Sequence, residues 1–342
     1  MKQVIKYAAL LFALVLAASI IGGCLTAGVS LVQGLYDEFS FPEELEGREN
    51  SLWYRDENGD VFFLGMQFGD SGEVKSGSET FNGSEIDSMY IEVGSGELIV
   101  EAWDNTSVSV VYENIPEEYE IVVDDKTLNI EKEDRITFFG ITSFMETPKI
   151  HVSVPADLVF NMVEIDKGSG SAKINGIAVE DFIVDNGSGG ITISDIVAEE
   201  CEFNSGSGSF VVQNSNLGEP SIDTGSGFVN LENVTAKNLV LDTGSGRVDV
   251  SGILTGNCVF ESGSGSLNVV VYGDEEDYNF RTDMGSGSFY LNGKKEDNDY
   301  DKENKRAKYL LVFDAGSGRV SLEFDKTKSV NEGTSNGANY ER

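Results

Sequence analysis

Basic residues are scarce in this sequence: 342 residues carry 24 Lys+Arg against 59 Asp+Glu, a formal net charge of −35. Such a surface cannot neutralise a phosphate backbone, which excludes nucleic acid as a partner, and it removes electrostatic docking on an anionic membrane. Histidine occurs once, as His151, between Ile150 and Val152 in an alternating stretch that reads as a surface strand. Proline is rare, 5 residues against 39 glycines, whereas loop-rich chains carry both. Hydrophobic residues make up 40% and aromatics 10%, enough to bury a core, so the chain is not a disordered acidic protein. Length alone suggests two domains, unless the chain is a repeat.

The amino terminus is a targeting segment. Lys2 and Lys6 precede a stretch free of charge from Tyr7 to Tyr36, and Ala8 to Ile21 forms its apolar core. Ile21-Gly22-Gly23-Cys24 resembles a lipobox, which makes Cys24 a candidate lipidation site. Tyr7 to Leu31 is also long enough for an uncleaved membrane anchor, since about 20 apolar residues span a bilayer. Both alternatives place the amino terminus inside and the bulk of the chain outside. The expectation is an extracytoplasmic protein anchored to the cell membrane.

The fold is set by a repeat. Gly-Ser-Gly begins at Gly168, Gly187, Gly206, Gly225, Gly244 and Gly263, at a constant interval of 19 residues, with further copies at Gly94, Gly285 and Gly316. Self-similarity at a short fixed period marks a stacked architecture. The intervals of 22 and 31 read as loops inserted between the last turns. Aligned on the first glycine, apolar residues occupy the columns five and three before it and four and six after it, with Thr282 the exception. Strict alternation on both sides of a glycine turn predicts short half-buried strands. A second corner lies eight after the glycine, at Gly176, Asp195, Asn214, Asn233 and Gly252, residue types that tolerate left-handed backbone. Ile177, Ile196, Val234 and Ile253 then open a third apolar edge. Three short strands and two corners per rung make an all-β parallel β-solenoid, with the right-handed form favoured by crossover chirality.

Two of the three cysteines, Cys201 and Cys258, are three rungs apart in one inward column. At about 4.8 Å per rung they lie roughly 14 Å apart, beyond the roughly 7 Å that a disulfide allows, so both are expected to be buried free thiols. The Met89–Val100 stretch reads as a first, separate rung, and the alternating segments from Val108 to Val154 read as hairpin strands beside or capping the stack. The expected organisation is a signal or anchor over 1–36, a linker and small β element with an Asn58-Gly59 hairpin over 37–84, a first rung plus hairpin cap over 85–160, solenoid repeats over 161–325 and a flexible tail over 326–342.

The Tyr90–Val93 rung, the segment ending Lys149-Ile150-His151-Val152-Ser153-Val154-Pro155 and the Asp-x-Gly-Ser-Gly turns together resemble an adhesin-labelled family of unknown function, related to autotransporter-adhesin head domains. The resemblance covers roughly Ser76 to Phe324. It implies a β-helical envelope domain, often membrane-tethered, with roles in adhesion or envelope-stress sensing and no catalytic residues to transfer.

Two before each glycine stands an outward polar column: Glu92, Asp166, Asp185, Asn204, Asp223, Asp242, Glu261, Asp283 and Asp314. One reading is an Asx-type turn, each carboxylate accepting backbone N–H groups of the following Gly-Ser-Gly. The other is a cation ladder in which calcium bridges carboxylates one rung apart, with Asp166, Asp185, Asp223, Asp242, Glu261, Asp283 and Asp314 as ligands. No cofactor is required by the rest of the sequence. Asn82, Asn105 and Asn233 open glycosylation sequons, as does Asn186 inside a tight turn.

Function then reads as binding or spacing, with a cell-surface protein or glycan as partner. A carbohydrate-active β-helix enzyme is the alternative, and there the basic candidates are Arg247 and Arg319, in rungs that sequence order separates by two others. A sensor or scaffold for a membrane signalling partner is the third.

Overall fold

The computed structural model describes residues 53–55, 61–63, 66–68, 74–132 and 147–328. The apolar segment, Cys24 and the end of the tail lie outside the described residues, among which no helix is long and apolar enough to cross a membrane. Contacts divide the chain into two units. One contains a three-stranded antiparallel sheet, Trp53–Arg55, Val61–Phe63 and Met66–Phe68, with Asn58-Gly59 falling between the first two strands.

The other unit is a parallel β-solenoid built from a 13-stranded and an 11-stranded sheet. Strands before the Gly-Ser-Gly turn pair in register with those of the next rung, as in Val163↔Phe182↔Cys201↔Pro220. Strands after the turn do the same, as in Ala172↔Ile191↔Phe210↔Val229↔Val248↔Leu267. Both sets send alternate side chains into one core, because successive residues of a strand point to opposite faces. Rings carry much of it: Phe182 meets Phe203 edge-on at 5.5 Å, and Phe203 stacks on Phe210 at 5.5 Å. Cys201 and Cys258 are free and buried in the column the repeat assigns them.

The backbone ladder continues round the first corner. Ser188 N donates to Gly168 O at 2.9 Å, Ser207 N to Gly187 O at 3.0 Å and Ser226 N to Gly206 O at 3.0 Å. This close stacking, rather than a left-handed conformation, explains most of the glycines. A β-carbon on Gly208 would stand 2.4 Å from Gly189 O, and one on Gly227 1.9 Å from Gly208 O.

The second corner is left-handed where the residue types suggest it, at Gly176, Asp195, Asn214 and Asn233 with φ of +74°, +54°, +52° and +55°. Gly252 departs from this. It continues the strand Arg247–Thr255 and pairs with Val234, so that Asn233 bulges out. The shift by one residue buries Leu254, while Ile253, the expected third-edge residue, is only half-buried. Elsewhere the third edge is an extension of the strand that follows it, as in Ala178–Asn186.

Sequence order and rung order part at both ends. The Gly94 rung is not separate: Glu92 pairs with Asp166 and Leu98 with Ala172, so it stacks directly beneath the Gly168 rung. Within the 74-residue interval between these two glycines the chain leaves the stack to build its cap. Thr127–Lys132 extends one sheet beside Ser88–Val93, and Lys149–Pro155 extends the other beside Glu97–Trp103. Antiparallel strands Tyr119–Asp124, Ser107–Pro116 and Val74–Asn82 complete the two edges.

At the far end the last two turns are exchanged. Asn257–Ser262 pairs with Tyr309–Ala315, and Tyr278–Asp283 lies beyond it, so the Gly316 rung is intercalated between the Gly263 and Gly285 rungs. This corrects the chain-order stacking expected of the 22- and 31-residue intervals. The charged segment from 294 to 308 is accordingly no simple insertion: it carries the chain back and covers the open end. Tyr300 stacks on Phe280 at 5.8 Å, and its N–H donates to Thr282 Oγ1 at 2.7 Å. Thr282 breaks the apolar column because it is the docking point of that cover.

Just before the first glycine lies an inward polar column, Lys167, Asn186, Ser205, Thr224, Thr243 and Ser262, all buried. Asn186 Oδ1, Thr224 Oγ1, Thr243 Oγ1 and Ser262 Oγ have no hydrogen-bond partner among the described residues, a cost of about 1–3 kcal/mol for a buried polar group. Lys167 donates to Ser169 O, and burial pushes its amine down to about 8. Below pH 8 the folded state therefore holds a disfavoured ammonium. The penalty is relieved as pH rises from about 8 towards the ordinary lysine value of 10.5. Lys167→Met is expected to raise the unfolding midpoint at pH 7 and to lose that advantage between pH 8 and 10.5. Denaturant titrations across this range check it, and an unchanged or lower midpoint at pH 7 would contradict it.

Candidate functional site

The acidic column forms one line. Strand register gives Glu92↔Asp166↔Asp185↔Asn204↔Asp223↔Asp242↔Glu261↔Asp314↔Asp283, all facing outward, with Asp314 placed before Asp283 by the exchanged rungs. Of the two readings of this column, the Asx turn meets a competitor in the backbone. The N–H of the first glycine and of the serine already donate to the rung beneath, as Gly187 N does to Lys167 O at 2.8 Å. At Asn204 the column is tied along its own line, Nδ2 donating to Asp185 Oδ1 of the neighbouring rung at 2.9 Å, and also to Glu202 Oε1 at 3.1 Å. Among the described residues no three His, Cys, Asp or Glu side chains converge as a metal-binding group.

The serine-glycine corner has a different shape. The serine of each turn is exposed, and the glycine after it has no side chain because the carbonyl of the previous rung occupies that space. Two residues beyond the serine a second row begins with Gly190, Ser209, Phe228, Arg247, Ser266, Arg319 and Ser288 in spatial order. Between the two rows runs an open groove along the solenoid axis, in two stretches of about 470 and 550 Å³ that share Ser245, Gly246 and Arg247. From the Gly187 rung to the Gly285 rung it crosses six rung steps, about 29 Å at the usual strand spacing.

Both arginines of the sequence analysis stand in this groove. Exchange of the last rungs puts one rung between them instead of two, Arg247↔Ser266↔Arg319, a separation of about 10 Å along the axis. Arg247 Nε donates to Asp249 Oδ2 at 2.8 Å, and Asp249 is steadied by Asn268 Nδ2 at 2.7 Å. The Arg319 guanidinium lies 4.1 Å from the centre of the Tyr290 ring. Among the described residues no carboxylate forms an ion pair with it. Sequence alignment could have placed Tyr290 five residues after Gly285, but only the spatial order of the rungs brings it against Arg319.

The remaining candidates are dispersed. His151 lies on a strand surface, its Nε2 at 2.8 Å from Glu101 Oε1. Burial pushes the Cys201 thiol up to about 12 and the Cys258 thiol up to about 11, which keeps both protonated and unreactive near neutrality. Asn82, Asn105 and Asn233 are exposed, while Asn186 is buried and donates to Gly189 O at 2.9 Å, which removes it as a modification site.

The sequence pattern of the family described as Toastrack DUF4097 matches residues 73–330, three quarters of the chain and every described strand of the solenoid unit. No curated protein matches. Three solved structures are similar in part. A "putative cell adhesion protein" from Clostridium sporogenes shares 11% identity over 74% of this chain and 100% of its own, with a TM-score of 0.28. A "putative adhesin" from Bacteroides fragilis shares 14% over 72% and 97%, with a TM-score of 0.43. A "putative lipid binding protein" from Parabacteroides distasonis shares 17% over 76% and 99%, with a TM-score of 0.41.

Proposed function

The chain belongs to the Toastrack DUF4097 family, and from that premise we propose that it is a membrane-tethered, extracytoplasmic binding module that holds a cell-surface glycan or protein without transforming it. The observation that carries this reading is the groove along the serine-glycine corner, open past seven successive rungs among the described residues. An extended, repetitive and open surface suits contact with an extended partner better than it suits enclosing a reacting bond, which calls for a concave, water-excluding site. The chemical inventory agrees. The histidine is engaged with Glu101 on a sheet face, and the described thiols are buried and protonated. Tethering is supported by Lys2 and Lys6 ahead of the uncharged Tyr7–Tyr36 stretch.

The test uses the full-length chain. In intact cells the protein is expected in the membrane fraction and open to protease added from outside. Purified in detergent, it is expected to co-sediment with isolated envelope fragments. Protection from external protease would remove the location, and failure to sediment with envelope fragments or whole cells would remove the binding role.

A further inference from the structure

We propose, resting on the binding-module reading above, that the serine-glycine corner is a binding site for an extended acidic polysaccharide, with Arg247 and Arg319 as its two anion contacts and Tyr290 as the surface on which a sugar ring rests.

The shape of the groove follows from the backbone. Its floor is glycine because a β-carbon at Gly189, Gly227, Gly246 or Gly265 would sit 1.9–2.5 Å from a carbonyl oxygen of the rung below. The channel is thus a by-product of the rung stacking and runs across the strands. At about 29 Å by strand spacing, it accommodates a linear chain of several residues rather than a compact small molecule.

The walls then select the chemistry. Exposed serine hydroxyls repeat at every rung, each able to donate and to accept, and one adjacent pair is joined, Ser317 Oγ donating to Ser264 Oγ at 3.1 Å. Sugar hydroxyls have the same dual character. Phe228 in the second row and Tyr290, two residues beyond Ser288, are half-buried and offer apolar faces to pyranose rings.

The arginines add the demand for negative charge. Arg319 stands over a tyrosine ring and, among the described residues, has no carboxylate ion-paired to it, which leaves its charge for a ligand. The ring holds Arg319 in place by cation–π attraction. Arg247 uses Nε on Asp249, which leaves its two terminal nitrogens for a second anion. Two guanidinium groups in one row, about 10 Å apart by strand spacing, fit a polymer with carboxylates or phosphates on separated units. They are too few to hold a nucleic acid against the overall −35 charge.

The experiment measures binding of the full-length chain in detergent to three probes by calorimetry: alginate oligosaccharides for carboxylate, phosphorylated dextran for phosphate, and plain dextran as the neutral control. Wild type is expected to bind at least one acidic probe and not the neutral one. R247S/R319S is expected to lose about tenfold or more in affinity, as for the loss of charge-assisted contacts, with R247K/R319K in between. Both residues are exposed, so the unfolding midpoint should not move, and this controls for folding. Equal affinity of R247S/R319S and wild type, or preference for plain dextran, would overturn the site. Absence of binding to all three probes while envelope fragments still sediment would also overturn it, leaving the general binding role intact. Failure in both assays would remove both.

Discussion

Gly227→Ala is expected to be among the most damaging conservative substitutions in the solenoid. The added β-carbon meets Gly208 O at 1.9 Å and Gly208 C at 3.0 Å, atoms of main chain rather than of a side chain that can swing away. That carbonyl also accepts Phe228 N–H at 3.3 Å, so moving it breaks the ladder that joins the Gly206 and Gly225 rungs. Forced overpacking costs about 1–3 kcal/mol and sometimes more, and about 3 kcal/mol is expected here. For a domain of this size that lowers the thermal midpoint by roughly 6–12 °C. Gly94→Ala is the matched control, because a β-carbon there meets nothing within 4 Å, and it should stay within about 0.5 kcal/mol of wild type. Because each rung of a solenoid contacts only its neighbours, faster hydrogen exchange in Gly227→Ala should concentrate around the Gly206 and Gly225 turns. Equal stabilities of the two variants would refute stacking as the reason for the repeated glycines.

The second large effect tests the exchanged rungs. Phe313 lies between Phe260, at 5.0 Å and nearly parallel, and Phe289, at 6.0 Å. Its replacement by alanine is expected to cost about 3–5 kcal/mol, as for other buried aromatic truncations. The decisive quantity is the coupling in a double-mutant cycle of Phe260→Ala and Phe313→Ala. Contacting rings should couple by about 0.5–1.5 kcal/mol. In a solenoid stacked in chain order, Phe260 would face Thr282, and Phe313 would stand a further rung away, beyond coupling range. A cycle that closes to within about 0.3 kcal/mol would restore the chain-order arrangement and separate Arg319 from Arg247 by an additional rung.

The candidate site was half legible in the alignment. Arg247 and Arg319 both fall three residues after their first glycines, on the same row of every rung. The groove itself was not, because a glycine column signals a turn without revealing that a neighbouring carbonyl fills the space of a side chain. The carboxylates of the acidic column were placed on the correct face, and one of the two roles read for them, the Asx turn, meets a competitor that the local sequence does not show. Their residue type fits an Asx turn, but the competing acceptors are carbonyls of the rung beneath, 20 positions from the glycine and serine N–H groups that donate to them. The Thr282 exception was visible as a broken column, and its cause was not, since the segment that docks on it has no repeat pattern of its own.

Period and alternation in the sequence by themselves determine the rung, the inward columns and the buried free thiols, because each depends on spacing within one repeat or on a multiple of 19 residues. Left-handed corners at Asp195, Asn214 and Asn233 are equally local, written in residue types that accept positive φ. Tertiary structure alone decided which rung lies on which. All rungs present nearly the same edge, so local pattern cannot distinguish the Gly285 turn from the Gly316 turn as the neighbour of Gly263. The choice falls to the ends of the stack, where Thr282, Phe280 and Tyr300 seal an edge that would otherwise be unpaired. The approach of Arg319 to Arg247, and with it the charge of the groove, follows from that sealing.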